Sequence, residues 1–123
     1  MIDHVLAFAD ESSARSDPAV GEYWVSGGEG GGWWRSDVCI PGAQVIVAAT
    51  GEAYDGLWRI VIAKDVQDQD LTDLPACHLV ADRSAAAAGQ PFIIKSTLAA
   101  AELALLVLQP VFAGSDYPFG SPA

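Results

Sequence analysis

Two β-type segments separated by a turn region form the strongest pattern in this sequence. Residues 44–50 (QVIVAAT) are apolar and rich in β-branched side chains, which favour strands. Residues 57–64 (LWRIVIAK) have the same character, and residues 51–56 (GEAYDG) between them are typical of a turn. The arrangement predicts an antiparallel hairpin. Arg59 carries the only charge on its face of the second strand, so the face of Arg59 and Val61 is predicted to be the more exposed one.

Strand and helix signals alternate near the amino terminus. Residues 1–9 hold a short apolar run and predict a first strand. Asp10 is a favourable N-cap for a helix over residues 11–16. Asp17 followed by Pro18 repeats the start signal, and proline disfavours helical geometry at the residue before it. We therefore expect two short helices here rather than one long helix.

Glycine and proline mark two breaks in the next part of the chain. Residues 26–32 (SGGEGGG) contain five glycines in seven positions, which predicts a loop tip. The segment lacks both the GxGxxG register and the GK[ST] ending of a phosphate-binding loop. Pro41 and Gly42 predict a turn, because proline presets one dihedral angle and glycine accepts a positive φ.

The second half of the chain holds further short elements. Residues 76–81 (ACHLVA) and 92–95 (FIIK) predict strands on either side of a helical turn at 82–89. The apolar stretch that follows would be apolar on every side of a helix. We therefore predict a short helix over 97–102 and then a buried strand over 104–111.

These signals predict an α+β fold with a mainly antiparallel sheet of five or six strands and two to four short helices. The length of 123 residues fits one domain, which we assign to residues 1–114. Residues 115–123 (SDYPFGSPA) are predicted to form an extended C-terminal tail.

The charge balance excludes several classes of partner. The chain has 16 acidic and 6 basic residues, for a formal net charge of −10, and the basic residues are scattered. Nucleic-acid and anionic-membrane binding rely on clustered Lys and Arg, so neither is expected. No signal peptide or membrane-spanning stretch is visible, which predicts a protein that is cytoplasmic when synthesised.

Residue types that carry chemistry are few and poorly spaced. Cys39 and Cys77 both lie in apolar contexts, which predicts buried thiols, although one bridge between them stays open. The neighbours Cys77 and His78 point to opposite faces of a strand and cannot form a dyad. The acidic residues between 65 and 73 lack the glycine and the closing glutamate of a calcium loop. We therefore assign no catalytic residue, no metal ligand and no cofactor.

Aromatic residues supply the candidate interaction site. Trp and Tyr are enriched in protein interfaces because they bury much area with few rotatable bonds. The candidates flank the glycine-rich segment or lie in the tail, and they are Tyr23, Trp24, Trp33, Trp34, Tyr117 and Phe119. The alternative is that the aromatic residues near the glycines cover the protein's own core. The tail aromatics would be buried by docking onto a neighbouring subunit.

Three stretches support a resemblance. They are the run from FADE to DPAVGEYW within residues 8–24, WRSDVCIPG at 34–42 and PVFAGS at 110–115. Together they resemble small uncharacterised proteins encoded in structural-gene regions of bacteriophages and prophages. The resemblance implies a virion, assembly or accessory role and brings no catalytic residue with it.

Three functional hypotheses follow. The first is a non-enzymatic structural or interaction protein that self-associates as a homo-oligomer or binds another virion or host protein, and that becomes virion-associated. The second is a small-molecule-binding domain or minor enzyme, which requires a pocket where Arg59, His78 and an aspartate converge. The third is an acidic mimic that binds a basic protein, which requires carboxylates concentrated on one face.

Overall fold

The computed structural model describes residues 2–64, 71–82, 85 and 93–112. The strands in these ranges are β1 (Ile2–Phe8), β2 (Trp24–Gly28), β3 (Gly31–Trp34), β4 (Cys39–Val47), β5 (Trp58–Lys64), β6 (Cys77–Asp82), β7 (Ile93–Ser96) and β8 (Leu106–Gln109). The helices are α1 (Glu11–Ser16), a 3-10 helix (Gly21–Tyr23) and α2 (Ala100–Leu103). None of these helices has the length and apolar character to span a bilayer.

A six-stranded sheet with the order β7-β6-β1-β5-β4-β8 forms the centre of the fold. Every neighbouring pair is antiparallel. Among the described strands, β2 and β3 pair only with each other, as a separate two-stranded sheet. The predicted antiparallel sheet with short helices is therefore confirmed, while the predicted tail lies outside the described residues.

The amino-terminal elements follow their local signals. The Asp10 side chain accepts a hydrogen bond from the backbone N–H of Ser13 at 2.8 Å and caps α1. Asp17 ends α1 and accepts from the N–H groups of Ala19 and Val20. The second predicted helix is reduced to the 3-10 turn, since Pro18 separates it from α1.

Two apolar clusters fill the two faces of the sheet. On the first face, Leu6, Ile60 and Ile62 are fully buried beneath α1 and the 3-10 helix. On the second face, the sheet curves around Val5, Val61 and residues of the C-terminal elements, and both edge strands contribute to this cluster. Because both faces are covered, the central strands β1 and β5 are buried along almost their whole length, and the polar side chains of Asp3, His4 and Arg59 are buried with them.

The expectation that the face of Arg59 is the more exposed one is wrong. Val61 and Arg59 are 0 % and 4 % exposed, and Ala63 on the same face is 6 % exposed. Leu103, Leu106 and Leu108 close over this face from α2 and β8. One charge on a strand indicates exposure only when no partner neutralises it, and here a carboxylate does so.

The predicted turn at Pro41 and Gly42 is also corrected. Strand β4 runs through both residues, and its register against β5 shifts between Pro41 and Ala43. Gly42 has a φ of 73° and is the extra residue of a β-bulge. Proline and glycine therefore bend the strand here without reversing it.

The apolar C-terminal stretch splits as predicted. The short helix α2 ends at Leu103, and β8 begins three residues later and pairs with β4 from Val47 back to Gln44. Leu106 and Leu108 are buried on one face, whereas the residues between and beside them face outward.

Candidate interaction site

Strands β2 and β3 form a hairpin, which we call the arm (residues 24–34). Its register pairs Trp24 with Trp34 at the base and Gly28 with Gly31 near the tip. The two loop residues, Glu29 and Gly30, both have positive φ angles of 49° and 78°. These angles match the type I′ turn that suits the right-handed twist of a two-stranded ribbon. The glycine-rich segment is thus a paired hairpin and not the open loop tip that its composition predicts.

Three tryptophans in edge-to-face and tilted contact hold the base of the arm against the main sheet. The ring of Trp34 lies 5.4 Å from that of Trp24 and 5.9 Å from that of Trp58, measured between centroids. Its indole Nε1 donates to Oε2 of Glu11 at 3.0 Å, which ties the base to α1. The guanidinium of Arg15 lies 4.7 Å from the ring centroid of Trp24 on its other side.

Glycines opposite the tryptophans let the rings lie flat on the arm. A Cβ atom at Gly32 would come within 2.7 Å of Cζ2 of Trp24, and one at Gly27 within 3.0 Å of Cζ3 of Trp33. Each indole ring therefore covers the backbone of a glycine, which has no side chain to keep the ring away. Since Trp24 and Trp33 lie on opposite faces of the ribbon, the arm presents one tryptophan on each side.

The structure separates the predicted interaction residues into two groups. Tyr23 and Trp34 are 7 % and 6 % exposed and belong to the first core cluster, as the alternative interpretation expected. Trp24 is half-buried beneath Arg15. Trp33 is 57 % exposed. The other two candidates, Tyr117 and Phe119, lie outside the described residues.

Charge within the arm itself is sparse. Glu29 at the tip is the only ionisable residue within residues 24–34. Beyond the base, Arg35 and Asp37 form an exposed ion pair at 2.8 Å, and this hydrogen bond lowers the pKa of the Asp37 carboxyl. An exposed pair of this kind contributes little to stability. The arm is therefore a largely uncharged apolar surface on an acidic protein.

Both cysteines are free and buried. Burial raises the pKa of the Cys39 thiol to about 12, and burial also raises the pKa of Cys77. Because the thiolate is the nucleophile, neither thiol is reactive near neutral pH. The bridge that the sequence left open does not form, since Cys39 and Cys77 lie on β4 and β6, which two other strands separate.

A reagent for free thiols tests this sealed environment. A chromogenic disulfide reagent releases its coloured thiol when a protein thiolate attacks it. At about pH 8 we expect almost no release from the native protein and release by both cysteines of the unfolded chain. Absorbance measurement with and without denaturant distinguishes the two states. Rapid reaction of either cysteine in the native protein would contradict the burial described above.

Arg59 forms a largely buried ion pair with Asp55, the aspartate that the small-molecule hypothesis required but did not identify. Nη1 and Nη2 of Arg59 donate to Oδ1 and Oδ2 of Asp55 at 2.7 and 2.8 Å. The Asp55 side chain also accepts from the N–H of Leu57, and the bond from Arg59 lowers the pKa of its carboxyl. The available signal was the four-residue spacing between an acidic and a basic residue at the start of β5.

His78 completes the convergence of polar groups that a small-molecule site would require. It lies beside Arg59 on the second face of the sheet, at a register shift between β1 and β6. The cavity that both side chains line measures about 10 Å³, which is room for a single water molecule. Such a cavity is far smaller than a typical ligand pocket of roughly 300 Å³ or more. The cavity shared by Arg59 and His78 therefore has no room for a ligand, whereas a neighbouring cavity lined by Asp55 and Arg59 measures about 230 Å³.

The titration of His78 gives a second test. Burial, followed by the nearby charges of Arg59 and Lys95, lowers its pKa, while Asp55 opposes the shift. In the unfolded chain His78 binds a proton at about pH 6.5, whereas in the folded protein it binds one only at lower pH. The free energy of unfolding therefore falls as the pH drops through about 6.5. Urea unfolding should show a steeper fall of stability near this pH for the native protein than for His78→Gln. An identical slope in both proteins would contradict the assignment.

Comparison with known proteins gave no match: no family model, no curated protein and no solved structure is similar to this chain. Within the described residues, no three His, Cys, Asp or Glu side chains come together as they would around a metal ion. Of the acidic residues between 65 and 73 that the sequence analysis weighed as a calcium loop, Asp65, Asp68 and Asp70 lie outside the described ranges.

Proposed function

We propose that this chain is a non-enzymatic structural protein that self-associates, with the arm as its contact element. We further propose that it serves as a virion or assembly component of a bacteriophage or prophage, made in the bacterial cytoplasm. The phage assignment rests on the three sequence stretches described above. The contact role rests on the arm, and one observation carries it: the 57 % exposure of Trp33 on a rigidly anchored ribbon.

The exposure of Trp33 has an energetic consequence. A tryptophan side chain buries 150–250 Å² when fully covered, so covering the exposed part of Trp33 gains roughly 2–3 kcal/mol at ~25 cal/mol per Å². The ring already rests on Gly27, which restricts its rotation before any partner binds. An aromatic side chain that is held in place loses little entropy on binding, and this is the property of an interface anchor.

The backbone of the arm supports the same role. Among the described strands, β2 and β3 pair with no strand of the main sheet, so each has an outer edge at which a further strand can pair. A two-stranded ribbon is only marginally stable by itself in water. Contact with a second arm or with a sheet edge would pair the backbone groups at the outer edges of the arm and would also cover Trp33.

Replacing the exposed tryptophan tests the proposal. We expect Trp33→Ser to weaken self-association at least tenfold, because the anchor is lost while the base of the arm stays intact. Light scattering during size-exclusion chromatography, at tens of micromolar, measures the effect. The matched control is Tyr54→Ser, which removes another exposed aromatic ring, 37 % exposed and distant in sequence from the arm. If Trp33→Ser and the wild type self-associate equally, the arm does not form the contact.

A further inference from the structure

Strand β8 is a free edge of the six-stranded sheet. It pairs with β4 on one side, and no strand among the described residues pairs with its other side. Leu105, immediately before the strand, is 65 % exposed, and Val107 in its centre is partly exposed. Both side chains point away from the buried face of Leu106 and Leu108. Within the described residues, the edge therefore combines a strand side without a paired neighbour and exposed apolar side chains.

Charge is missing from this half of the sheet. Residues 39–51, which include β4, and residues 103–115, which include β8, contain no Asp, Glu, Lys or Arg. Native edge strands are usually protected against pairing by charged side chains, above all lysine. The opposite edge carries such a residue, because β7 contains Lys95. Strand β8 has no such protection.

We infer that β8 pairs antiparallel with β8 of a second copy of this chain, across a two-fold axis near Val107. A second copy is the occupant that the charge distribution favours. Two chains of net charge −10 repel each other over most of their surfaces, and this uncharged edge is a place where they meet without bringing carboxylates together. A two-fold contact also uses the same strand from both chains, so one uncharged edge is sufficient.

The register of this pairing follows from the geometry of the edge. Pairing about Val107 sets Leu105 of the second copy opposite Gln109, and directly paired residues lie on the same face. On that face, an open groove of about 610 Å³ is lined by Gln44, by Gly42 and by residues 107–111. Gly42 has no side chain to fill it. The exposed Leu105 of each copy therefore finds space in the groove of the other.

This contact rests on the proposed self-association but uses a surface separate from the arm. A copy that uses both surfaces contacts two neighbours, which is what an extended assembly requires. Light scattering of four proteins separates the two contacts: the wild type, Val107→Lys, Trp33→Ser and the double variant. We expect the wild type to exceed the mass of a dimer, each single variant to stop at a dimer, and the double variant to be monomeric.

Failure of this inference differs from failure of the arm contact. If Val107→Lys assembles like the wild type while Trp33→Ser does not, the edge pairing is overturned and the arm contact stands. The reverse result overturns the arm contact and supports the edge. A monomeric wild type overturns both. Ile94→Lys on the opposite edge strand, at a residue that is 53 % exposed, is the matched control and should leave the assembly unchanged.

Two further measurements protect this test against a folding defect. Leu105→Lys alters a residue that is 65 % exposed, so it should fold normally and weaken the same contact. A cysteine introduced by Val107→Cys should cross-link two chains on mild oxidation, whereas one introduced by Ile94→Cys should not. The native cysteines are buried and do not compete. Cross-linking of both variants alike, or of neither, would overturn the pairing.

Discussion

Replacing Trp34 with alanine is expected to lower the free energy of unfolding by about 3–5 kcal/mol. The side chain is 6 % exposed and lies between the rings of Trp24 and Trp58. Truncation leaves a cavity at the junction of the arm, α1 and the main sheet, and it also removes the indole bond to Glu11. Urea unfolding followed by circular dichroism measures the loss.

The neighbouring residue supplies the control for this prediction. Trp33→Ala removes the same side chain one position away, yet it should cost only about 1–2 kcal/mol, because more than half of this side chain is in solvent. Because both variants replace tryptophan with alanine, the difference between their losses of stability reports the burial of the side chain. Similar losses for both variants would show that the two rings are not on opposite sides of the arm as described.

Replacing Asp55 with asparagine is expected to cost about 3 kcal/mol, the lower end of the range for breaking a buried ion pair. The Arg59 side chain is 4 % exposed and would keep its charge without a carboxylate to neutralise it. Asparagine preserves the size of the side chain and an acceptor for the N–H of Leu57. The loss therefore reports the charge. Thermal or urea unfolding at neutral pH measures it.

A double variant decides between charge and shape at this position. Asp55→Asn combined with Arg59→Met removes both charges and should recover most of the lost stability, since no buried charge remains. The lowered pKa of Asp55 adds a pH signature. Its stabilising effect is present above the ordinary aspartate pKa near about 4 and is lost as the pH falls below it, so the cost of Asp55→Asn should shrink in acid. A cost that stays constant with pH would contradict the ion pair.

Local signals in the sequence were sufficient for several elements. The Asp10 cap placed α1 at its observed residues, because capping depends on atoms only three positions apart. The period-two pattern placed β5 within one residue of its observed start. A single helix over the apolar C-terminal stretch would be apolar on every side, and this argument predicted the break between α2 and β8. Each of these inferences uses physics that acts within one element.

Errors arose where distant residues decide the outcome. The burial of Arg59 depends on α2 and β8, which are more than forty positions away in the chain, and on a carboxylate in the preceding turn. Gly42 adopts the same positive φ in a bulge as in a turn, so only pairing with β5 distinguishes the two. The strand order cannot be obtained from local propensity for the same reason.

The same dependence on distant residues decides which tryptophan of the arm is exposed. Trp33 and Trp34 differ in environment because adjacent residues of a strand point to opposite faces, but the sequence predicts no strand at these two positions. It does not predict which of them is buried, because that depends on Trp58 and Glu11 meeting the arm from other elements. The edge at β8 stayed hidden until the strand order showed that it lies outermost.

The dependence of molar mass on concentration for the unmodified protein tests the central claim of self-association most directly. Light scattering across a wide range of concentrations should give a weight-average mass that rises well above the 12.8 kDa of a single chain. A mass that stays at that of one chain up to the highest attainable concentration would contradict the account.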